Sequence, residues 1–489
     1  MSSSNAMKQE GFLIQDENSP RKKIVRQDRV PIMPKKFFMS CEKLRLEICN
    51  VSSFGIAVIC TENEMLGAKE VFNGGDSKNS TLSFNDTEFQ SVKLKIARIE
   101  KHPHSTFDDY IVGFESVGDS VAVDCIKALE LTEEMIINTN QALVQTAQIP
   151  NEFKLLVFEM QEFLNQLKCK IESLEKLAPR DNAVENSDFR QTVAQSISNY
   201  LNKIIPSKYQ KIPDIFAKTD DQILQYCSEF MRSHLGPLVY GAPFAHRAYN
   251  KPRGYAGDYE MMNHLYRNEM VGSSLFDQCM HKYFIDEPAG QAVKNRGYYL
   301  LEKIKETVQS TKKSKIKILA VASGPAMEQQ LFLKNCPEFR GRDIEFVCID
   351  QDEESLKHAQ REILSIDRFA KSGFEFRFRN LAIKNILARG LPEQDFDLIY
   401  TAGLFDYFTD PVALLAAQKL FAGLKDNGTL IIGNFSKDNP SQPFMEMVLE
   451  WHLLYRSVQE MTTLFGQVGK SLTIEKESLG INLFAVIKK

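Results

Sequence analysis

The chain has 489 residues, 60 basic and 64 acidic, and its formal charge of -4 provides no bulk field to draw it to nucleic acid or a membrane surface. That length exceeds one ordinary hydrophobic core and predicts two to four domains. Nine cysteines lie singly with no C-x-x-C pair, and the start MSSSNAMKQE has no apolar core; the expectation is a cytoplasmic, multidomain protein with buried thiols, no metal, no nucleic-acid partner and no transmembrane segment.

Residues 1–35 read as a flexible polar arm, with Pro20, Pro31 and Pro34 and a basic run at Arg21, Lys22, Lys23, Arg26 and Arg29. Over 36–131 the short runs LRLEI, GIAVI, VKLKIARI and YIVGF alternate with Gly, Asn, Asp and Ser clusters. That spacing predicts a small antiparallel β-barrel closed by a helix from Val121 to Leu131. Residues 132–205 read as a helical connector. Within it Phe153, Leu156, Met160, Phe163, Leu167, Leu174 and Leu177 follow steps of three and four interrupted only at Lys170, which makes 152–177 a long amphipathic helix. Burial against the chain's own next helices is the expected arrangement, and a homodimer seam is the alternative. Asp181 to Asp188 reads as a loop, and the helical period continues through 206–310.

Residues 311–489 alternate strand and helix signals, as in a mostly parallel sheet covered on both faces. The strands are IKILAV, IEFVCI, FEFRFR, FDLIYT and TLIIGN, then SLTIEKES and INLFAVIKK. Only Leu479 and Gly480 join the last two, and so short a link makes them antiparallel. The result is a seven-stranded α/β sheet with a reversed terminal hairpin.

The first of these strands runs into Ala322-Ser323-Gly324-Pro325-Ala326. Gly324 admits a ligand close to the backbone, and Pro325 suits the first turn of a helix. The loop lacks the further glycines of a pyrophosphate cradle. Asp350 ends the second strand, 26 residues after Gly324, where a carboxylate can accept from both hydroxyls of a ribose. Gln351 follows it, Asn380 and Leu381 follow the third strand at the place of an adenine, and Thr401 closes the fourth; Asp352 reads as a helix cap. Two further groups stand out. Arg253 to Tyr266, RGYAGDYEMMNHLY, combines two glycines with Tyr255, Asp258 and Tyr259, where Asp258 also reads as a cap. In EWHLLYRS, His452 and Arg456 are four apart and would share a helix face, as an acid or base and a carboxylate anchor, unless both are structural.

With these stretches in place, about Leu235 to Lys489 resembles the bacterial methyltransferases known as 3-hydroxypalmitic acid methyl ester biosynthesis proteins. The resemblance is carried by RGYAGDYEMMN, SSLF, AVKNRGYYL, ASGPAMEQ, TAGLFDYF and WHLLYRS. It implies a Rossmann-like domain dependent on S-adenosyl-L-methionine, a helical cap over 206–310 on the acceptor side, and a fatty-acid carboxylate as acceptor. Ala322, Ser323, Gly324, Asp350, Gln351, Asn380, Leu381 and Thr401 would then hold the cofactor, and Tyr255, Asp258, Tyr259, Tyr407, His452 and Arg456 the acceptor. The barrel is similar to PilZ domains, receptors for cyclic di-GMP, through the N-x-S-x-x-G pattern of Asn50, Ser52 and Gly55. The resemblance implies nucleotide binding by these residues with Arg21, Lys22, Arg26 and Arg29, although Lys22 stands where such domains have an arginine. An alternative is a signalling protein whose methyltransferase fold binds the cofactor without catalysis.

Overall fold

In a computed structural model the described residues are 30–31, 36–103, 109–217, 219–311 and 315–489. The chain divides into two units, 1–144 and 145–489. The first contains β1 (Val30–Pro31), β2 (Phe37–Cys41), β3 (Leu44–Ser52), β4 (Gly55–Thr61), α1 (Glu62–Val71), β5 (Lys78–Phe84), β6 (Thr87–Lys101), β7 (Asp109–Ser116) and most of α2 (Val123–Gln148). The strands are ordered β1-β3-β2-β5-β6-β7-β4, and a further β3–β4 pairing closes β2 to β7 into a six-stranded antiparallel barrel. Alternating side chains fill it, among them Phe37, Met39, Leu46, Ile48, Val58 and Val112.

The expected barrel is present, with two strands and one helix that the apolar runs did not reveal. β5 is KNSTLSF, too polar to stand out, and α1 is fixed by a reciprocal cap between Thr61 and Glu64. The closing helix runs well past Leu131, to Gln148. Asn50 and Ser52 lie at the end of β3, and Gly55 opens β4 where a Cβ would stand 2.0 Å from the Phe114 carbonyl oxygen. Strand packing therefore demands that glycine. Arg21, Lys22, Arg26 and Arg29 lie outside the described residues.

The second unit begins with helices α3 (Asn151–Glu175), α4 (Ala183–Tyr209), α5 (Ile212–Phe216), α6 (Asp221–Val239), α7 (Pro243–Asn250), α8 (Tyr259–Arg267), α9 (Leu275–Asp286) and α10 (Pro288–Ser310). On α3, Phe153, Leu156, Met160, Leu164 and Ile171 are buried in one core with Leu201, Met231 and Phe276 of α4, α6 and α9. The apolar face of α3 is thus covered by the chain's own helices from Phe153 to Ile171, while Leu174 and Leu177 are exposed. The loop expected at Asp181–Asp188 is shorter, because Asn182 accepts from Val184 and Glu185 backbone N–H groups and starts α4 at once. The expected connector–cap boundary at 205/206 falls inside α4.

The sheet of this unit is built by β8 (Lys315–Val321), α11 (Met327–Asn335), β9 (Asp343–Asp350), α12 (Glu353–Ala370), β10 (Glu375–Asn380), α13 (Ile383–Arg389), β11 (Phe396–Thr401), α14 (Asp410–Ala422), β12 (Leu424–Phe435), α15 (Gln442–Met447), α16 (Val458–Phe465), β13 (Ser471–Lys476) and β14 (Asn482–Lys488). Its order is β10-β9-β8-β11-β12-β14-β13. β14 is antiparallel to both neighbours, and the strands from β10 to β12 are mutually parallel. Strand order reverses between β8 and β11, and at such a switch point the loops beyond the carboxyl ends diverge and leave a crevice. Among the described residues no helix is long and apolar enough to cross a membrane.

Candidate active site

A cavity of about 450 Å³ opens at that switch point. Its floor is the turn after β8, where Ala322, Gly324 and Ala326 have φ of 52°, 53° and 55°. Two alanines in the left-handed region are a local strain of about 1–3 kcal/mol each, held in place by bonds such as Ser323 N–H to the Ile349 carbonyl at 3.0 Å. The curl presents Ala322, Ser323 and Gly324 to the cavity. Pro325 lies one residue before the cap of α11, so it shapes the turn rather than the first helical turn as expected.

Asp350 is buried at the end of β9 and lines the same cavity. One carboxylate oxygen accepts from Gly324 N–H at 2.8 Å and the other from Asp352 N–H at 2.9 Å. Burial pushes its pKa up and these N–H donors oppose the shift. Each oxygen keeps a lone pair for a hydroxyl. Gln351 and Leu381 also line the wall, whereas Asn380 and Thr401 do not. The Asn380 amide donates to the Asp350 and Gln351 carbonyls and so fixes the end of β9 from outside. Thr401 points into the protein interior, fully buried.

The opposite wall comes from the helical half and from loops after β11 and β12: Tyr255, Tyr259, Met262, Tyr407, Phe408, Trp451 and Leu453. Gly254 and Gly257, with φ of 80° and 72°, curl the turn before α8, and a Cβ on Gly257 would stand 2.8 Å from Trp451. Asp352 ties this turn to the sheet: besides capping α12, it accepts from Arg253 at 3.0 Å and from the Tyr255 hydroxyl at 3.1 Å. The Tyr407 hydroxyl accepts from Trp451 Nε1 at 3.0 Å and donates to the Ala256 carbonyl at 3.2 Å. Burial raises the pKa of Tyr255, Tyr259 and Tyr407, so all three stay neutral at pH 7.

Three of the residues expected to meet the acceptor are elsewhere. Asp258 is buried outside the cavity wall, where it caps α8 through Met261 N–H at 3.0 Å and pairs with Arg247 at 2.8 Å. Its cap reading is the one the fold uses. The expected helix EWHLLYRS is an irregular, non-helical segment instead, with Glu450 at φ 50°. Its backbone is tied to neighbouring loops, Leu454 N–H to the Asp406 carbonyl at 2.7 Å and Arg456 N–H to the Phe435 carbonyl at 3.0 Å, which removes the helical ladder. His452 is exposed and away from the cavity, and the Arg456 guanidinium is spent on Asp410, Asn434 and the Phe405 and Phe408 carbonyls. The cavity wall also holds residues not anticipated: Arg296, Glu328, Ser355, Asp406 and Trp451. Arg296 and Asp406 stand in AVKNRGYYL and TAGLFDYF, two of the stretches that carry the family resemblance.

The chemistry of this wall fits S-adenosyl-L-methionine. It offers a buried carboxylate at the strand end, a curled backbone, and buried polar atoms without protein partners at Ser323 Oγ, Ser355 Oγ and Arg296 Nε. Residues 312–478 match the family model described as a methyltransferase domain. A methyltransferase domain therefore occupies the C-terminal region of the chain. Solved structures similar to the chain include a possible exported protein from Bordetella parapertussis, 13% identical over 60% of this chain and 96% of that one, TM-score 0.40. Others are magnesium protoporphyrin IX methyltransferase from Synechocystis with bound S-adenosylhomocysteine, 10% identical over 50% and 97%, TM-score 0.35, and a SAM-dependent methyltransferase from Aquifex aeolicus, 17% identical over 42% and 95%, TM-score 0.28. None of these likenesses is close enough to inform the site. No curated protein matches the chain.

Proposed function

We propose that the enzyme methylates the carboxylate of a small or lipid-like acid, giving a methyl ester. The supporting observation is the acceptor side of the cavity: tyrosine, tryptophan, phenylalanine and leucine side chains with neutral hydroxyls, and among the described residues no histidine, lysine or cysteine on the wall, whose carboxylates, Glu328, Asp350 and Asp406, we assign to the cofactor side. A carboxylate arrives ionised and needs alignment and a dry site, whereas an amine or hydroxyl needs a base to take its proton. The bound cofactor supplies an electrophilic methyl group. Asp350, Ser323 and the backbone around Gly324 hold it from the sheet side, while Tyr407 and Trp451 brace each other across the acceptor side. The test offers the full chain S-adenosyl-L-methionine with hexadecanoic acid, 3-hydroxyhexadecanoic acid and the matching alcohol, and follows ester or ether by mass spectrometry. Methyl ester from the acids alone is expected; transfer only to a hydroxyl would overturn the reading.

A second reading concerns the barrel, which we propose binds cyclic di-GMP and through it regulates transfer. It is favoured by the pairing of β1 with β3: Val30 and Pro31, which directly follow Arg29, run antiparallel beside Val51 and Asn50. Residue 30, which follows Arg29 in the chain, thus lies beside the end of β3, and we propose that Arg21, Lys22, Arg26 and Arg29 add cations to Asn50, Ser52 and Gly55. Regulation requires the nucleotide to bind two states differently. Arg26→Ala is expected to abolish calorimetric binding of cyclic di-GMP and leave basal transfer unchanged. Unaltered binding would count against the arm.

A further inference from the structure

Arg296 is buried on α10, only 6% exposed, and lines the cavity. One terminal nitrogen donates to the Ala402 carbonyl at 3.4 Å and the other reaches the Met262 sulfur at 3.8 Å. Its Nε has no hydrogen-bond partner, and it forms no ion pair among the described residues. A buried guanidinium without a direct ion pair is costly, since Glu328 and Asp406 act on it only through space and not through a salt bridge. Asp406 is equally buried on the other side of the loop after β11, and one of its oxygens accepts from Phe435 N–H at 2.6 Å. A Cβ placed on Gly403 would lie 2.7 Å from an Arg296 terminal nitrogen and 3.4 Å from the second Asp406 oxygen. The two charges thus converge on the space above Gly403 without pairing, and only glycine leaves that space open.

A cation and an anion flanking a small gap are the complement of a zwitterion. The gap lies at the carboxyl end of β11, whose strand neighbour β8 carries the Gly324 turn, while Asp350 stands one strand further along. We infer that Arg296 and Asp406 bind the α-amino-acid end of S-adenosyl-L-methionine, the α-carboxylate on Arg296 and the α-ammonium on Asp406. The inference rests on the cofactor assignment of this cavity and is independent of the acceptor. It also explains two motifs together, since AVKNRGYYL supplies the arginine and TAGLFDYF supplies both the gap and the aspartate.

Three probes separate the contacts in the full-length protein by calorimetry. S-adenosylhomocysteine has both charged groups, decarboxylated S-adenosylmethionine retains only the amine, and 5'-methylthioadenosine has neither. In the parent protein S-adenosylhomocysteine should bind more tightly than methylthioadenosine. Arg296→Met is expected to weaken S-adenosylhomocysteine on the order of 10- to 100-fold, leaving the other two probes within a few-fold of the parent. Asp406→Asn should weaken both amine-bearing probes and spare methylthioadenosine. Equal losses for all probes would make the pair structural, and an unchanged affinity of the Arg296 variant for S-adenosylhomocysteine would free the arginine for an acceptor; either result overturns the inference. So would a parent that binds methylthioadenosine as tightly as S-adenosylhomocysteine, a comparison that needs no variant to fold. If the folded parent bound none of the probes, the cofactor assignment itself would fall, and the inference with it.

Discussion

The two walls of the cavity are built by different rules. On the sheet side each residue is delivered by the end of a strand: the curled turn after β8, Asp350 after β9, Leu381 after β10. Their positions follow from parallel pairing and from chain order. On the other side Tyr255, Arg296, Tyr407 and Trp451 come from four separate segments, of which Tyr255 is tied to Asp352 and Tyr407 to both the Ala256 carbonyl and Trp451. A strand-end site is therefore set by local sequence, whereas a wall gathered from loops depends on the side chains that tether it.

The largest effect should come from breaking such a tether. Arg456 links the 451–456 segment to the loop after β11 and to Asn434 of β12, with its side chain 5% exposed. Arg456→Ala leaves Asn434 and two carbonyl oxygens short of donors and should lower unfolding free energy by about 3–5 kcal/mol in urea titrations. Stability equal to the parent would mean that the guanidinium is free for a ligand, as its place in the sequence first implied. On the sheet side the comparison predicts the reverse pattern. Asp350→Ala should reduce S-adenosylhomocysteine affinity by on the order of 100-fold, through two charge-assisted hydrogen bonds to the ribose. Asp350→Asn should fall between, and a variant that binds as the parent does would remove the ribose contact.

This contrast also explains what could be read in the sequence. The seven strands, the hairpin, Gly324 and Asp350 were legible because hydrophobic runs and turn residues report local structure. The cap role of Asp258 was legible too, from an acidic residue directly before a helix. The segment from Trp451 to Arg456 was misread because its spacing suits a helix, while its backbone is held by Asp406 and Phe435, residues distant in the chain. Arg296 left a fainter trace: an arginine beside Gly297 within a helix, with its reason at Gly403 more than a hundred residues away. Long-range complementarity of that kind has no local signature.

A finer test of the helical side is its apolarity. Glu287 directly precedes α10 without a side-chain cap bond, is 4% exposed, and faces a small cavity between Phe244, Phe284 and Trp451. Burial pushes its pKa from the ordinary 4.5 up to about 8, a shift that the nearby Ser441 and Tyr283 hydroxyls oppose. The folded state then keeps a proton that the unfolded chain releases near 4.5, so folding stability falls as pH rises from about 4.5 to 8 and the loss is complete above that. Glu287→Gln cannot ionise and should flatten this slope, a difference on the order of a few kcal/mol between urea titrations at pH 5 and pH 8.5. Parallel pH profiles for parent and variant would show that water reaches this carboxyl and that the helical wall is less dry than its composition implies.

The smallest expected effect belongs to His452, and its value lies in that smallness. Were the segment a helix, His452 and Arg456 would project from one face and a proton-transfer role would follow. In the non-helical segment Trp451 and Leu453 line the cavity while His452 is exposed to solvent. Its pKa is lowered by partial burial and by Lys251 nearby, so it is neutral at pH 7 and carries no charge for an acceptor carboxylate. His452→Ala should therefore change stability by no more than about 0.5 kcal/mol and leave S-adenosylhomocysteine affinity and turnover within about twofold of the parent. A turnover loss of tenfold or more with cofactor affinity intact would show that the histidine meets the acceptor during the reaction. The segment would then have to rearrange, and the fixed tethers through Arg456 and Asp406 would be only one of its two states.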